Sequence, residues 1–350
     1  MNMNEYLSNA VEKGASDVFI IAGSALSCKI RGLFCNLDEK KLLPPDTKRM
    51  IADIYEMADR SMDGLEAKGD DDFSFAVSGL ARFRVSTYRQ RGSFAAVIRV
   101  VSFSIPDPRS LGIPEEVMKL SDVHHGLILC TGTAGSGKST TQACIIDKIN
   151  HTRACHVITL EDPIEYLHRN DKSIISQREI AIDTVDCLTG LRACLRQSPD
   201  VILLGEMRDP ETIRTAMTAA ETGHTVFATL HTKGTANCID RISDAFPAEQ
   251  QGQIRIQLAS VLHTVISQQL VPDVKGELIP AFEILHANHA ARNLIREGKT
   301  HQLANVITTG AAEGMISMDQ SLYHLYQEKK ITKEQVLAYS ENPEQLARRL

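Results

Sequence analysis

The segment GTAGSGKST, residues 132–140, constrains the fold of this chain more than any other stretch of the sequence. It meets the pattern G-x-x-x-x-G-K-[ST], with the apolar run GLILCT before it and a helical pattern after it. Glycines allow successive backbone N–H groups to point at phosphate oxygens, and the next helix adds the positive end of its dipole. The segment therefore predicts a P-loop that binds ATP or GTP. The expected phosphate-binding residues are Gly132, Thr133, Ala134, Gly135, Ser136, Gly137, Lys138, Ser139 and Thr140, and Ser139 is also the expected Mg²⁺ ligand.

The chain of 350 residues is too long for one ordinary domain, and its pattern changes at a proline-rich segment. Before that segment, apolar residues alternate from 72 to 101, which predicts an antiparallel meander in a small α+β domain over residues 1–101. Three prolines that break helix and sheet place a linker at residues 102–114. Alternating strands and helices then predict a P-loop α/β domain with a parallel sheet over 115–350. Apolar spacing from about residue 247, including QQGQIRIQLASVLHTVISQQL, predicts a helical C-terminal portion.

Composition excludes several classes of protein. The formal net charge of −6 argues against a chain whose main task is to bind nucleic acid, because such a chain needs a basic surface. No apolar stretch approaches the roughly 20 residues of a membrane helix, and the first residues do not resemble a signal peptide. The 8 cysteines form no C-x-x-C pair, which argues against a zinc knuckle or a disulfide framework. We therefore expect a soluble cytoplasmic protein without a nucleic-acid partner.

Two acidic segments follow apolar strands and are candidates for chemistry on a bound nucleotide. In PDVILLGEMRD, Gly205 stands where such a strand usually has its metal-holding aspartate, and Glu206 follows. A glutamate at that strand end can orient or deprotonate the attacking water. In ITLEDPIEY, Glu161, Asp162 and Glu165 come after another strand, where they can complete a Mg²⁺ shell. The alternative interpretation of both segments is a set of surface acids at strand ends.

A third segment, TGHTVFATLHT, has a histidine at each end of a strand pattern, His224 and His231. A single histidine in such a place is more often a core residue than a phosphate sensor. Because the two flank a strand of the same predicted sheet as the P-loop, His231 is the better candidate for a residue that contacts the nucleotide.

Taken in order, these segments resemble those of the secretion ATPase superfamily, which drives type II secretion, type IV pilus assembly and retraction, and type IV secretion. FSFAVSGLARFRVSTYRQRG, SIISQREI, LRACLRQSPDVILLGEMRDPETI and AARNLIREGK are similar to segments of the pilus retraction ATPases, the PilT group. The resemblance covers about residues 10 to 335. It implies a PAS-like N-terminal domain, a RecA-like C-terminal domain and a homo-hexameric ring that hydrolyses ATP with Mg²⁺ to retract a type IV pilus in twitching motility. It also implies a platform protein of the inner membrane as partner, and so a peripheral position at the cytoplasmic face.

The resemblance assigns roles to residues by position. It implies that Glu206 is the catalytic glutamate, that Glu161 and Glu165 assist at the metal and the water, and that His231 senses the γ-phosphate. It implies that two pairs of arginines act at nucleotide sites, one pair lining the site and one pair reaching it from the mobile N-terminal domain. These pairs are Arg192 with Arg196, and Arg84 with Arg99. For the second pair, ordinary strand arginines that face solvent remain the alternative.

The sequence departs from the family pattern at three places. The early block reads ASDVFI, with Phe19 where the family has histidine, the segment LSCKIR replaces P-P-x-x-R, and Ala291 replaces isoleucine in AARNLIRE. The four-cysteine zinc insert of the assembly and type II secretion motors is absent, which favours retraction.

In AARNLIREGK, helical spacing predicts that Ala287, Ala291 and Leu294 pack on the domain while Arg292 and Arg296 leave a cationic edge for a partner.

Two other functions fit the same segments. A DNA-handling translocase of the same superfamily shares the P-loop chemistry, although the acidic net charge and AARNLIREGK weigh against it. A nucleotide-binding regulatory subunit of a mixed ring needs no turnover, although the intact Lys138 and Glu206 weigh against that function. ATPase assays with and without DNA discriminate between the three.

Overall fold

The computed structural model describes residues 2–30, 32–101 and 104–350. The chain forms two compact units. The first consists of Met1–Ser104 with Glu165–Leu167, and the second of Ile105–Ile164 with His168–Leu350. Residues 102 and 103 of the predicted linker, and the last residue of LSCKIR, lie outside the described residues.

The first unit is an antiparallel sheet with helices packed on one face. Its six strands lie in the order β3-β2-β1-β6-β5-β4, and the predicted meander is confirmed as β4 to β6. Side chains of β5 alternate between a buried face and an exposed face, since Phe83 and Val85 are buried while Arg84 is exposed. β2 and β3 are additional to the prediction. The elements are α1 Met3–Glu12, β1 Asp17–Ile20, β2 Ala25–Ile30, β3 Leu33–Lys41, α2 Pro44–Met57, α3 Asp63–Lys68, β4 Asp70–Val77, β5 Ala81–Gln90 and β6 Ser93–Val101.

The second unit is a three-layer α/β structure. Its seven strands lie in the order β13-β12-β7-β11-β10-β8-β9, and all neighbours are parallel except β12 and β13. Successive residues of β7 enter different cores, Leu127 on one face of the sheet and Ile128 on the other. The predicted parallel α/β domain is therefore confirmed. The strands are β7 Gly126–Thr131, β8 His156–Glu161, β9 Ile174–Glu179, β10 Val201–Leu204, β11 Thr225–Leu230, β12 Leu262–Pro272 and β13 Leu278–His286.

Eleven α-helices accompany these strands within the described residues. They are α4 Glu115–Met118, α5 Lys138–Thr152, α6 Cys187–Cys194, α7 Pro210–Glu221, α8 Thr235–Asp244, α9 Ala248–Val261, α10 His289–Glu297, α11 Leu303–Thr309, α12 Met318–Gln327, α13 Lys333–Tyr339 and α14 Pro343–Ala347, of which α4 is a single turn. Within the predicted helical C-terminal portion, the stretch SMDQSLYHLYQEKK forms α12.

The prediction that the C-terminal portion is helical is wrong for one long segment. Within QQGQIRIQLASVLHTVISQQL, α9 ends at Val261 and the chain continues directly into β12. β12 extends the parallel sheet beside β7 and pairs antiparallel with β13. Because both faces of this strand are covered, its apolar residues do not alternate, and their spacing does not distinguish strand from helix.

Candidate nucleotide-binding site

The P-loop follows β7 and ends where α5 begins at Lys138. Gly137 is the N-cap of α5 and has a φ of 85°, and Gly132 has a φ of 147°. A Cβ at Gly132 would overlap the backbone carbonyl oxygen of Gln268 and would lie 2.6 Å from the Ser136 hydroxyl. Both positions therefore require glycine because of their backbone conformation, and Gly132 requires it also because a neighbouring strand approaches closely.

The tip of the loop is exposed to solvent, whereas the side chain of its lysine is buried. Thr133, Ala134 and Gly135 are exposed, whereas Lys138 is only 6% exposed. The Lys138 ammonium donates hydrogen bonds of 2.8 Å to the carbonyl oxygens of Gly132 and Thr133. The buried Ser136 hydroxyl has no hydrogen-bond partner among the described residues, so it can bond to a ligand oxygen. Together with the N-terminus of α5, these groups form an anion-binding surface.

Glu206 lies at the carboxyl end of β10, two residues after its last paired residue. Gly205 donates its N–H to the carbonyl oxygen of Leu160 at 2.8 Å, and a Cβ at Gly205 would lie only 3.2 Å from that oxygen. There is little room for an aspartate side chain at this position. The glycine thus allows β10 to approach the end of β8, where Glu161 lies.

Glu206 pairs with two cationic or ionisable side chains. His231, directly after β11, has its Nε2 atom 3.3 Å from the Glu206 carboxylate, and the Arg208 guanidinium forms an ion pair with the same carboxylate. The hydrogen bond and the charge of Glu206 raise the pKa of Arg208. The structure therefore brings together the Glu206 and His231 that sequence analysis selected. Arg208 was missed, because its spacing of two residues from Glu206 does not identify its partner.

Hydrogen bonds fix the ends of the other strands at this edge. The Glu161 carboxylate accepts from the Thr159 hydroxyl at 2.6 Å and from the Gln177 amide at 3.2 Å. Thr131, the last residue of β7, donates to the Thr232 carbonyl oxygen at 2.5 Å. The P-loop strand is therefore tied to the segment that carries His231.

His224 and the first arginine pair have contacts that do not single out a nucleotide. His224 lies at the amino end of β11, opposite to His231, and its Nδ1 is 2.9 Å from the carbonyl oxygen of Ala219. Arg192 on α6 forms an exposed ion pair of 3.5 Å with Glu211. Arg196 lies beyond the end of α6 and donates to the Arg192 carbonyl oxygen at 3.0 Å. Both arginines are exposed on the second unit.

Three predicted site residues belong to the first unit. Arg84 and Arg99 are direct cross-strand partners on β5 and β6, and both are exposed. The Nε atom of Arg99 is 3.2 Å from the carboxylate of Asp17 on β1. Glu165, which sequence analysis placed with Glu161, groups with the first unit and is exposed.

The helix predicted in AARNLIREGK is α10, and one part of that prediction is wrong. Ala287, Ala291 and Ile295 are buried, and Leu294 packs partly against the same core. Arg292, however, is not part of a free cationic edge.

The Arg292 guanidinium donates hydrogen bonds to the carbonyl oxygens of Ala259, Ser260 and Ala287 at 2.6, 2.7 and 2.7 Å. Two of these carbonyls lie in the last turn of α9, where intrahelical partners are missing. Burial, and then Arg296, lower the pKa of Arg292. Arg296 is exposed, as predicted.

Within the described residues, no group of three or more His, Cys, Asp and Glu side chains is arranged to hold a metal ion. In the same part of the chain, no helix is both long and apolar enough to cross a bilayer.

Comparisons with known proteins place these features in one family. The family model described as type II/IV secretion system protein matches residues 1–346. The type IV pilus retraction ATPase PilT of Pseudomonas aeruginosa is 42% identical over 347 residues, covering 98% of this chain and 99% of that protein. A twitching motility protein of Neisseria gonorrhoeae is 46% identical over 277 residues, 79% of this chain and 74% of its own length. A crystal structure of the pilus retraction motor PilT with bound ADP superposes with a TM-score of 0.90 at 44% identity, covering 99% of both chains.

Proposed function

Because the chain belongs to the family of type II/IV secretion system proteins, we propose that it is the ATPase motor that retracts a type IV pilus in twitching motility. The observation that carries this proposal is that the P-loop and the Glu206–His231 pair follow the carboxyl ends of β7, β10 and β11, which are neighbouring parallel strands of one sheet. Identity to retraction ATPases over nearly the whole chain supports retraction over the other tasks of the superfamily.

In this proposal, each residue has one role in ATP hydrolysis. Glu206 accepts a proton from the water that attacks the γ-phosphorus, and the bond to the β-phosphate oxygen breaks to release ADP and phosphate. Lys138 and the α5 N-terminus neutralise charge on the β- and γ-phosphates. His231, whose Nε2 atom lies 3.3 Å from the Glu206 carboxylate, reports whether the γ-phosphate is present. Glu165 assists at the water, and Arg192 and Arg196 line the site.

Mg²⁺ fits the residues present, because an ion that binds mainly through nucleotide phosphates needs only one or two protein ligands and no preformed cage. Ser139 and Glu161 would hold it. When bound, Mg²⁺ neutralises phosphate charge during transfer.

The assembly and location are part of the same proposal. The chain forms a homo-hexamer of PAS-like domains (1–101), linkers (102–114) and RecA-like domains (115–350). It acts in the cytoplasm, where the ring binds an inner-membrane platform protein peripherally, and it has no nucleic-acid partner.

Two assays test this function together. Purified protein is expected to hydrolyse ATP at the same rate with and without double-stranded DNA, and Lys138→Ala is expected to abolish turnover. The wild-type gene is expected to restore twitching motility to a strain that lacks its retraction ATPase, whereas Lys138→Ala is not. Strong stimulation by DNA would identify a translocase instead, and nucleotide binding without turnover would identify a regulatory subunit.

A further inference from the structure

The strand that sequence analysis mistook for a helix contributes a buried glutamine to the P-loop. β12 pairs with β7 as far as Ser267, which lies opposite Thr131. Gln268 is the next residue, at the point where β7 becomes the P-loop, and it is only 3% exposed. The register of two parallel strands thus sets this side chain beside the loop.

Gln268 contacts the beginning of the P-loop, its end and the helix that follows. Its backbone carbonyl oxygen fills the space that a Cβ would need at Gly132, and its Nε2 atom lies 2.8 Å from where a Cβ of Gly137 would be. Its Oε1 atom accepts a hydrogen bond of 2.8 Å from the Thr141 hydroxyl in the first turn of α5. Gln268 therefore contacts both glycines of the P-loop pattern and the N-terminus of the helix.

Such bracing matters because glycines make the loop flexible. A P-loop binds phosphate through N–H groups that converge on one point, and fixing flexible backbone costs free energy that is otherwise subtracted from binding. The glutamine amide carries an acceptor and a donor, and its Oε1 atom accepts from Thr141 of the helix while its Nε2 atom lies close to Gly137 of the loop. Leucine has similar volume but neither group, and glutamate has no donor.

We propose that Gln268 is a positioning residue that holds the P-loop in its phosphate-binding conformation. The proposal rests on the proposed nucleotide function. Gln269 is a matched control, because it is the adjacent glutamine on the same strand and donates instead to the Tyr339 carbonyl oxygen.

The test compares Gln268→Leu with Gln269→Leu by steady-state ATP hydrolysis and by binding of a fluorescent ATP analogue. We expect Gln268→Leu to raise KM and Kd about tenfold, equivalent to about 1.4 kcal/mol, and to change kcat by a much smaller factor. Gln269→Leu is expected to keep wild-type KM. A general loss of folding would instead lower the active fraction, and with it kcat, at unchanged KM. Unchanged KM and Kd in Gln268→Leu would overturn the proposal.

Two further variants extend the test, and the first of them keeps it decisive if Gln268→Leu does not fold. Gln268→Glu retains the acceptor for Thr141 but places a negative charge beside the phosphates, so its KM is expected to fall towards the wild-type value as the pH is lowered and the carboxyl is protonated. Combined with Thr141→Val, Gln268→Leu is expected to weaken binding less than the sum of the two single changes. Additive effects, or a wild-type pH profile for Gln268→Glu, would refute positioning. Failure of the wild type to bind the analogue would instead refute the nucleotide function itself.

Discussion

Glycine at position 205 decides the form of the sheet edge that carries Glu206. The β8 backbone at Leu160 and Glu161 comes so close to its Cα that an aspartate there would press on it. The acidic groups are displaced instead to the end of β8 and to Glu206. Their convergence with His231 was predictable, because the carboxyl ends of parallel strands lie at one edge of a sheet. The Arg208 ion pair was not, because a flexible exposed arginine has many partners within reach.

Glu206→Gln is expected to separate nucleotide binding from turnover. The substitution keeps size and hydrogen-bonding capacity but removes the proton acceptor, so turnover should fall by roughly 10²–10⁴. Because Lys138 and the loop are unchanged, Kd for the fluorescent analogue should stay at the wild-type value. The measurement pairs single-turnover hydrolysis with binding. Normal hydrolysis would transfer the role of base to Glu161 or Glu165.

Arg84→Ala and Arg99→Ala are expected to lower turnover without lowering stability. The two arginines are like charges directly opposite each other on neighbouring strands, an arrangement that costs stability. The exposed Arg99–Asp17 ion pair contributes at most about 1 kcal/mol to the stability of the fold. A role in stabilising transition-state charge would lower turnover by as much as ~10³-fold. Unaltered turnover in both variants, with unaltered melting temperature, would identify them as solvent-facing strand residues.

At the level of elements, β12 and α10 show which features sequence patterns cannot predict. β-branched residues such as Val265 and Ile266 favour a strand, yet Gln268 and Gln269 within the same run suggest the polar side of a helix. Burial on both sheet faces removes the period of two that would have decided it. For α10 the amphipathic pattern was sufficient to predict the helix. The bonds of Arg292 to α9 depend on the tertiary approach of two helices, which spacing within one helix cannot reveal.

The two arginines of α10 are therefore expected to differ. Arg292→Ala removes charge-assisted hydrogen bonds to three carbonyls, so the free energy of unfolding should fall by roughly 1.5–3 kcal/mol. Arg296→Ala changes an exposed side chain and should alter the free energy of unfolding by less than about 0.5 kcal/mol. We expect Arg296→Ala to hydrolyse ATP normally and yet fail to restore twitching in a deletion strain. Equal melting temperatures for both variants would contradict the capping role of Arg292.

The segment between β8 and β9 is expected to make the second unit sensitive to acid. Burial, and then His151, lower the pKa of His168 from 6.5 to about 4, and its buried Nδ1 atom has no hydrogen-bond partner in the part of the chain that the structure describes. The unfolded chain binds this proton more readily, so its contribution to stability is complete above pH 6.5 and is lost as the pH falls towards 4. Thermal melts across that range should therefore show a smaller decrease for His168→Gln than for the wild type. Parallel pH profiles would contradict this.

For the whole molecule, the sequence predicted the P-loop unit more completely than the first unit. A phosphate-binding pattern between a strand and a helix fixes a local fold, and the strands around it repeat the same alternation. In the first unit, β3 is a mostly exposed edge strand, LFCNLDEKK, whose burial pattern carries no alternation. The lack of a buried face removed the signal that revealed the meander.

Mixed rings provide the test at the scale of the assembly. Glu206 lies in the second unit and Arg84 in the first. In a ring where the first unit of one chain contacts the nucleotide bound by another chain, each site takes its Glu206 and its Arg84 from different chains. Co-assembled Arg84→Ala and Glu206→Gln chains should then hydrolyse ATP faster than either variant alone, since some sites receive both intact residues. The matched control mixes Lys138→Ala with Glu206→Gln. Both of those lesions lie in the second unit, so no site is restored and the mixture should stay inactive. Turnover of the first mixture equal to the average of its components would mean that Arg84 acts within its own chain or not at all.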